Sequence, residues 1–200
     1  MLVRYRMSSK LVTVAPRRSL ADARALLAKH GIRQLPVLDG HRLVGIVTDR
    51  DLRGASARAT VVGDVMTAKP FTVAPDTPVD EAARLLRMRK INAVPVVDKR
   101  TLVGIVTATD VLAAFVELSG VAEPTYRVVV EGRDRTVAPT TLGQVIQRAR
   151  GEVKWVHRDQ RRKHVWHARL KAKRIEDVVT AIEAAGFEVT AVIAPPRRRL

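Results

Sequence analysis

The sequence contains no cysteine. This absence excludes a disulfide framework, a thiolate nucleophile and a sulfur-ligated metal, and it fits a reducing compartment, so we expect a cytoplasmic protein. A histidine-ligated metal is not expected either, because side chains at His164 and His167 would point to opposite faces of a strand. Since no nucleophile and base pair and no glycine-rich phosphate loop is evident, the sequence predicts no catalytic site and no enzyme.

Long hydrophobic runs are also missing. No window approaches the roughly 20 apolar residues that a membrane span needs, and the first residues lack the apolar core of a signal peptide. With 46% apolar and 28% charged residues, the chain is not disordered by composition. We therefore expect one or two soluble domains and no membrane partner.

Acidic residues are outnumbered, with 20 Asp and Glu against 36 Lys and Arg and a net charge of +16. Such an excess can favour binding to a phosphate backbone. The charge is evenly spread, however, with 19 basic and 11 acidic residues in 1–120 and 17 and 9 in 121–200. This distribution indicates a composition bias more than a binding surface, so nucleic acid is not the favoured partner.

The sequence does contain an internal repeat. Shifting the chain by 59 residues superposes 3–52 on 62–111 without a gap, and 21 of these 50 positions are identical. The repeat includes the heptads Gly-Ile-Val-Thr-Asp-Arg-Asp at 45–51 and Gly-Ile-Val-Thr-Ala-Thr-Asp at 104–110. Duplication predicts two copies of one structural unit.

Each copy shows the same pattern of strands and helices. An extended segment precedes a helix whose apolar residues recur at helical spacing, as at Leu20, Ala23 and Leu27. Two β-branched runs follow, 32–38 and 43–47 in the first copy, and a second helix then begins at Thr48 or Thr107. One such unit leaves a sheet face uncovered, so we expect the two copies to pack their sheets together.

Cap residues predict where the first helix of each copy begins. Ser19 with Asp22 is typical of a helix start in the first copy, and Thr77 followed by Pro78 and Asp80 is typical of one in the second. We therefore expect Ser19 and Thr77 to cap these helices.

The two heptads are open to a structural and a functional interpretation. Thr48 with Asp51, and Thr107 with Asp110, fit capping boxes at helix starts. The same geometry presents free amides to a phosphate and a carboxylate to the hydroxyls of a ribose. Under the structural interpretation, Gly45 and Gly104 permit close strand packing.

The repeated pattern, with Leu-Pro-Val-Leu-Asp at 35–39 and Val-Pro-Val-Val-Asp at 94–98 ahead of the heptads, resembles a tandem pair of CBS domains, called a Bateman module. The resemblance implies CBS domains at 1–60 and 61–119. It also implies adenosine nucleotide sites, with Asp51 and Asp110 on ribose and Thr48 and Thr107 near ribose or phosphate. The ligand would be AMP, ADP or ATP acting as a regulator, with no cofactor required. The nucleotide-binding residues predicted in this way are Thr48, Arg50, Asp51, Arg33 and Val14 in the first copy and Thr107, Thr109, Asp110, Asn92 and Val73 in the second.

Charge differs between the two predicted sites. Arg50 and Arg33 in the first copy correspond to Thr109 and Asn92 in the second. Because arginine binds phosphate oxygens, we expect the first site to prefer the more highly phosphorylated ligand.

The C-terminal part alternates strand and helix in the order βαββαβ, over 126–130, 141–149, 152–156, 164–170, 175–185 and 187–193. This order predicts a ferredoxin-like unit, so the fold class is α+β: a CBS pair plus a ferredoxin-like domain. The part at 126–194 resembles an ACT domain, which implies ligand binding or dimerisation. It would follow a linker at 120–125 and precede a basic tail at 195–200.

The combination of a CBS pair and an ACT-like domain is similar to the acetoin-utilisation (AcuB) type of bacterial protein. The similarity implies a regulatory homodimer in acetoin or related carbon metabolism, acting on an enzyme partner that the sequence does not name. An alternative is nucleic-acid binding through the C-terminal domain, where Trp155 and Trp166 would offer stacking surfaces beside Arg158, Arg161, Arg162 and Lys163. Such tryptophans are also common in cores and interfaces.

Overall fold

The computed structural model describes residues 1–120, 123–132, 139–162 and 164–195. The chain divides into two compact units, Met1–Ala114 and Phe115–Leu200. From residue 196 onward, the predicted basic tail lies outside the described residues, as do positions 121 and 122 of the predicted linker and Lys163.

The first unit contains both copies of the repeat. The first copy forms helix α1 (Leu20–His30), strands β1 (Gln34–Asp39) and β2 (Arg42–Thr48) and helix α2 (Asp49–Arg53). A two-residue strand, β3 (Thr67–Ala68), follows. The second copy forms helix α3 (Val79–Arg89), strands β4 (Ala93–Asp98) and β5 (Thr101–Thr107) and helix α4 (Ala108–Leu118). In each copy, the order of helix, two strands and helix is the predicted one.

One of the two predicted caps forms at the start of α1 and α3. The Ser19 hydroxyl accepts a hydrogen bond from the Asp22 amide at 3.0 Å, as expected. The prediction for Thr77 is wrong, because α3 begins one residue later and Pro78 holds the cap position without a side-chain bond. The Thr77 hydroxyl instead accepts from the Ala74 amide at 3.0 Å, within the preceding turn.

Both copies fold their two strands into an antiparallel hairpin. The register shifts between Val37 and Leu38 in the first hairpin and between Val96 and Val97 in the second. These positions correspond in the repeat, so the irregularity was duplicated together with the sequence.

The first residues of each copy pack in the core of the other copy. Val62 is fully buried in the core around α1, and its amide donates to the Arg18 carbonyl at 2.9 Å. Val3, the corresponding residue of the first copy, is fully buried in the core around α3, and its amide donates to the Thr77 carbonyl at 2.9 Å. Each copy is therefore completed by the first residues of the other copy.

The heptad glycines pack against methionines from these exchanged segments. A Cβ atom on Gly45 would collide with the side chain of Met66, and one on Gly104 would collide with that of Met7. The glycines therefore permit close packing, because any larger residue would require these methionine side chains to move.

A small core joins the two copies. Ile46 and Ile105, which correspond in the repeat, are buried together with Ala93, and Leu11 packs against them. The expectation that the copies bury sheet surface against each other is therefore confirmed.

The second unit is a four-stranded antiparallel sheet with two helices. Its elements are β6 (Tyr126–Gly132), α5 (Pro139–Arg148), β7 (Glu152–Arg158), β8 (Val165–Lys171), α6 (Ile175–Ala184) and β9 (Phe187–Ile193). The strands lie in the order β7-β8-β6-β9. Alternate strand residues, such as Val128, Val130 and Ala168, form the core with Leu142 and Ile182 of the helices, so both helices pack on one face.

The chain that follows α4 packs on the opposite face of this sheet. The Trp155 indole donates to the Ser119 carbonyl at 2.8 Å. Arg169, only 6% exposed, donates to the Thr125 hydroxyl at 3.1 Å. Burial lowers the pKa of the Arg169 guanidinium, and the neighbouring Arg127 lowers it further. Ser119 and Thr125 are therefore held against the sheet by side chains of β7 and β8.

Candidate functional site

The first heptad forms a closed hydrogen-bonded ring where β2 ends and α2 begins. The Thr48 amide and hydroxyl both donate to Oδ2 of Asp51, at 2.9 and 2.7 Å. The Asp51 amide donates back to the Thr48 hydroxyl at 3.3 Å. The predicted capping box is therefore present, and it fixes the position of the Asp51 carboxylate.

The second heptad repeats this ring almost unchanged. The Thr107 amide and hydroxyl donate to Oδ2 of Asp110 at 2.8 and 2.7 Å, and the Asp110 amide donates back at 3.3 Å. Because the rings match, a functional difference between the copies must come from the residues around them.

A cavity of about 570 Å³ lies beside the first heptad. Four residues predicted for the first-copy site line it, namely Thr48, Asp51, Arg50 and Arg33, and the second copy contributes Asn92. A volume in this range is typical of small-molecule sites. The structure therefore brings the first heptad, its two arginines and a residue of the other copy together around one space.

The remaining predicted site residues lie elsewhere. Thr107, Thr109 and Asp110 do not line this cavity, and neither does Val73. Val14 is 4% exposed and belongs to the core, where it borders a different, shallow cavity of about 690 Å³. The second heptad is thus not part of the space that the first heptad lines.

The backbone of the extended segments is already hydrogen-bonded to the strands. The Val14 amide donates to the Pro36 carbonyl at 3.1 Å, and the Leu38 amide donates to the Val14 carbonyl at 2.9 Å. Val73 bonds in the same way to Pro95 and Val97. These backbone groups are therefore hydrogen-bonded to the sheet, and each carbonyl oxygen keeps a second lone pair.

The cavity also contains residues that the sequence interpretation missed. Phe71, Arg89 and Lys90 of the second copy line its wall, and Arg53 of α2 lies beside Asp49, with 2.7 Å between guanidinium and carboxylate. A signal was present in the sequence, since Arg89 and Lys90 replace His30 and Gly31 of the first copy. The sequence does not show that these residues lie beside the first heptad in the folded protein.

The C-terminal tryptophans do not provide the stacking surface that nucleic-acid binding would use. Trp166 is 5% exposed and lies in the core of the second unit. The Arg158 guanidinium lies 5.5 Å from the centre of its ring. Trp155 is partly buried and donates its indole N–H to Ser119. Both rings therefore have structural contacts.

The histidines form no metal site among the described residues. His167 lies 3.5 Å from Asp159, whose other carboxylate oxygen accepts the amides of Arg161 and Arg162 at 2.8 Å each. The Arg162 and Arg161 amides, in that order, lower the pKa of Asp159, and His167 contributes less. This cluster orders the turn between β7 and β8.

The first unit is thus a duplicated α/β module in which both copies line one cavity beside a Thr and Asp ring. This arrangement defines a class of tandem-domain protein. The chain belongs to the CBS domain family, whose model matches residues 3–58 and 62–117. No helix within the described residues is long and apolar enough to cross a membrane.

Several curated relatives share the repeat and extend well beyond it. An inosine-5'-monophosphate dehydrogenase of Korarchaeum cryptofilum is 44% identical over 102 residues, covering 50% of this chain and 21% of that protein. The chain therefore matches about a fifth of the length of this relative.

Solved structures match the first unit over nearly their whole length. The CBS domain pair of protein MJ0100, in complex with 5'-methylthioadenosine and S-adenosyl-L-methionine, is 36% identical with a TM-score of 0.55, covering 57% of this chain and 95% of that one. CBSX2, a CBS-pair protein of Arabidopsis thaliana, in complex with AMP is 35% identical with a TM-score of 0.55, at 58% and 97% coverage. An acetoin utilization protein (AcuB) of Vibrio cholerae is 32% identical with a TM-score of 0.56, at 62% and 96% coverage.

Proposed function

We propose that this protein is a non-catalytic regulator that senses adenosine nucleotides through its CBS pair. The observation that carries the proposal is the cavity of about 570 Å³ in which Asp51 and Thr48 lie beside Arg33 and Arg50. Asp51 is positioned to accept ribose hydroxyls, and the arginines are positioned to bind phosphate oxygens. The similar CBS pairs in complex with AMP and with S-adenosyl-L-methionine support an adenosine ligand.

The two heptads are proposed to differ in ligand preference. The first-copy site, formed by Thr48, Arg50, Asp51 and Arg33, takes the more highly phosphorylated nucleotide. The site at Thr107 and Asp110 has Thr109 and Asn92 in place of the arginines, so it takes a monophosphate, a nucleoside or no ligand. Val14 is proposed to belong to the first of these sites and Val73 to the second.

The second unit is proposed to be a ferredoxin-like domain of the ACT type. The strand order β7-β8-β6-β9, with both helices on one face, supports the ferredoxin-like assignment. Ligand binding in the CBS pair alters how the copies pack, and the chain after Asp110 relays the change to this domain. Coupling of this kind is typically about 1–3 kcal/mol, so the ligand tunes the partner's activity gradually.

The proposed assembly is a homodimer that acts on an enzyme partner. Closed twofold symmetry is the commonest form of association. Similarity to the AcuB protein of Vibrio cholerae supports a role in acetoin or related carbon metabolism.

Calorimetric titration tests the nucleotide proposal. AMP, ADP and ATP are titrated into the wild-type protein and into the matched variants Asp51→Ala and Asp110→Ala. We expect Asp51→Ala to weaken ATP binding more than AMP binding, whereas Asp110→Ala leaves ATP binding nearly unchanged. Equal losses from both variants for every ligand would contradict the asymmetry, and no heat with any adenine compound would reduce the heptads to helix caps.

A further inference from the structure

Two cations of the second copy belong to the first-copy cavity. Arg89 and Lys90, where α3 ends, line the same wall as Phe71. The Arg89 guanidinium lies 4.4 Å from the centre of the Phe71 ring. A cation stacked on an aromatic face is held in place, so Arg89 stays at the cavity wall.

The side chains that line the cavity carry a net positive charge. Its lining contains five cationic side chains and two acidic ones, a net charge of +3. Of the acids, Asp49 is paired with Arg53 at 2.7 Å, and Asp51 accepts both hydrogen bonds of Thr48 through one oxygen. The remaining cations, Arg33, Arg50, Arg89 and Lys90, come from both copies.

The positions of the repeat that correspond to these five cations carry no Lys or Arg. Counting 59 residues along the chain, the five cations correspond to Asn92, Thr109, Leu112, His30 and Gly31, and the two acids to Ala108 and Asp110. The difference between the copies therefore extends beyond the heptad to residues that the opposite copy supplies.

Lys90 occupies a backbone position that favours glycine. It ends α3 with φ +54°, in the left-handed region, where its counterpart Gly31 ends α1 with φ +60°. A side chain is strained there, whereas glycine is not. Lys99, at φ +44°, replaces Gly40 in the same way but does not line the cavity. Lys99 therefore serves as a matched control for Lys90.

We propose that Lys90 and Arg89 bind the phosphates of a ligand held at the first heptad, so that the cavity selects a nucleotide with a triphosphate chain. The inference rests on the proposed nucleotide function and names the class of ligand, nucleoside triphosphates. The phosphates bridge the two copies, because the ribose contacts Asp51 of the first copy and the cations belong to the second. Charge-assisted contacts to phosphate give this selection its strength.

The test compares Lys90→Gly, Arg89→Gln and the control Lys99→Gly by calorimetry with ATP, AMP, adenosine and inorganic tripolyphosphate. Lys90→Gly and Arg89→Gln should each raise the Kd of ATP about 5- to 10-fold, while the Kd of AMP changes less than about 2-fold and adenosine binding is unchanged. Lys90→Gly should also raise the melting temperature by about 2–4 °C, because it relieves backbone strain. Loss of affinity with a gain in stability excludes misfolding as the cause.

Lys99→Gly should give a similar rise in melting temperature with unchanged ATP affinity. If Lys90→Gly and Lys99→Gly affect ATP binding equally, or neither affects it, the proposal is overturned while the adenosine site stands. If the wild-type protein binds tripolyphosphate but no adenine compound, the cation cluster stands and the proposed function falls. If the wild-type protein binds none of the four, both fall.

Discussion

Thr48 directs both its amide and its hydroxyl to Oδ2 of Asp51. Within the described part of the chain, Oδ1 of the same carboxylate accepts no hydrogen bond. One oxygen therefore closes the helix cap and the other remains to accept a ligand hydroxyl. A capping box and a ribose contact are thus compatible in one side chain, and the two interpretations of the heptad do not exclude each other.

Removing the Thr48 hydroxyl should cost stability in the absence of ligand. Thr48→Ala and Thr107→Ala should each lower the free energy of unfolding by about 0.5–2 kcal/mol, because each removes a helix cap. Thr48→Ser keeps the hydroxyl and should lose much less. Urea unfolding measures all three, and a Thr48→Ser variant as unstable as Thr48→Ala would show that the hydroxyl is not the source of stability.

Adding a methyl group at Gly45 should disturb the packing of the first copy. Gly45→Ala places a Cβ against Met66 and should lower the free energy of unfolding by about 1–3 kcal/mol through overpacking. The double variant Gly45→Ala with Met66→Ala should lose less than the sum of the single changes, because the second change makes room.

Gly143→Ala provides the control for this prediction. Gly143 lies in α5 with no atom within 4 Å of a built Cβ, so alanine should raise the free energy of unfolding by up to about 1 kcal/mol. Strictly additive losses at Gly45 and Met66 in thermal or urea unfolding would refute the collision.

Truncating Val3 should loosen the second copy and not the first. Val3→Ala and Val62→Ala each remove a fully buried side chain and should each cost about 2 kcal/mol. Hydrogen exchange distinguishes them: Val3→Ala should accelerate exchange in β4 and β5, and Val62→Ala in β1 and β2. The opposite pattern, or equal effects on both hairpins, would argue against the exchange of segments.

Acid should weaken the contacts of Glu123 with the sheet of the second unit. Its carboxylate lies 2.5 Å from the Lys171 ammonium and 3.1 Å from that of Lys154. The ammonium groups of Lys171, and then of Lys154, lower the pKa of Glu123 below its usual 4.5 because they pair with its carboxylate. A lowered pKa contributes stability above the unfolded-state value, and this contribution is lost as the pH falls through the folded-state value.

Melting curves between pH 7 and pH 3 test this contribution. Glu123→Gln should lower the melting temperature at pH 7 and reduce its decline below about pH 4.5, because the variant has no carboxylate to protonate. Glu183→Gln, an exposed change on α6, should keep the decline of the wild-type protein. Parallel curves for the wild-type protein and Glu123→Gln would show that the ion pairs do not stabilise the fold.

The repeat made much of the first unit predictable. Two copies in phase mark the same apolar positions twice, so helices, hairpins and the Thr48 and Asp51 cap follow from local pattern. The Thr77 cap failed for a local reason too, because the helix starts after Pro78 and the Thr77 hydroxyl accepts from the Ala74 amide in the preceding turn. Boundaries that depend on one residue are the least determined by pattern.

Contacts between distant segments were not predictable in the same way. A repeat shows that Val3 and Val62 correspond, but not which core each one enters, since either copy offers the same apolar surface. The arrival of Arg89 and Lys90 beside Asp51 likewise depends on how the copies pack. In the second unit, the bond from Trp155 to Ser119 depends on a segment with no periodic pattern.

The exchange of segments also implies an order in which the two copies fold during synthesis. The first copy has all its strands once Ala68 has been made, so it can fold early, as amino-terminal parts of chains do on the ribosome. The segment around Val3 is synthesised before the first copy is complete. It cannot form its backbone hydrogen bonds until Thr77 and Ile105 have been synthesised. The second copy therefore closes last, through contacts of long sequence separation that form slowly. The cavity between the copies is complete only at that step, so binding of the proposed nucleotide would require both copies to be folded.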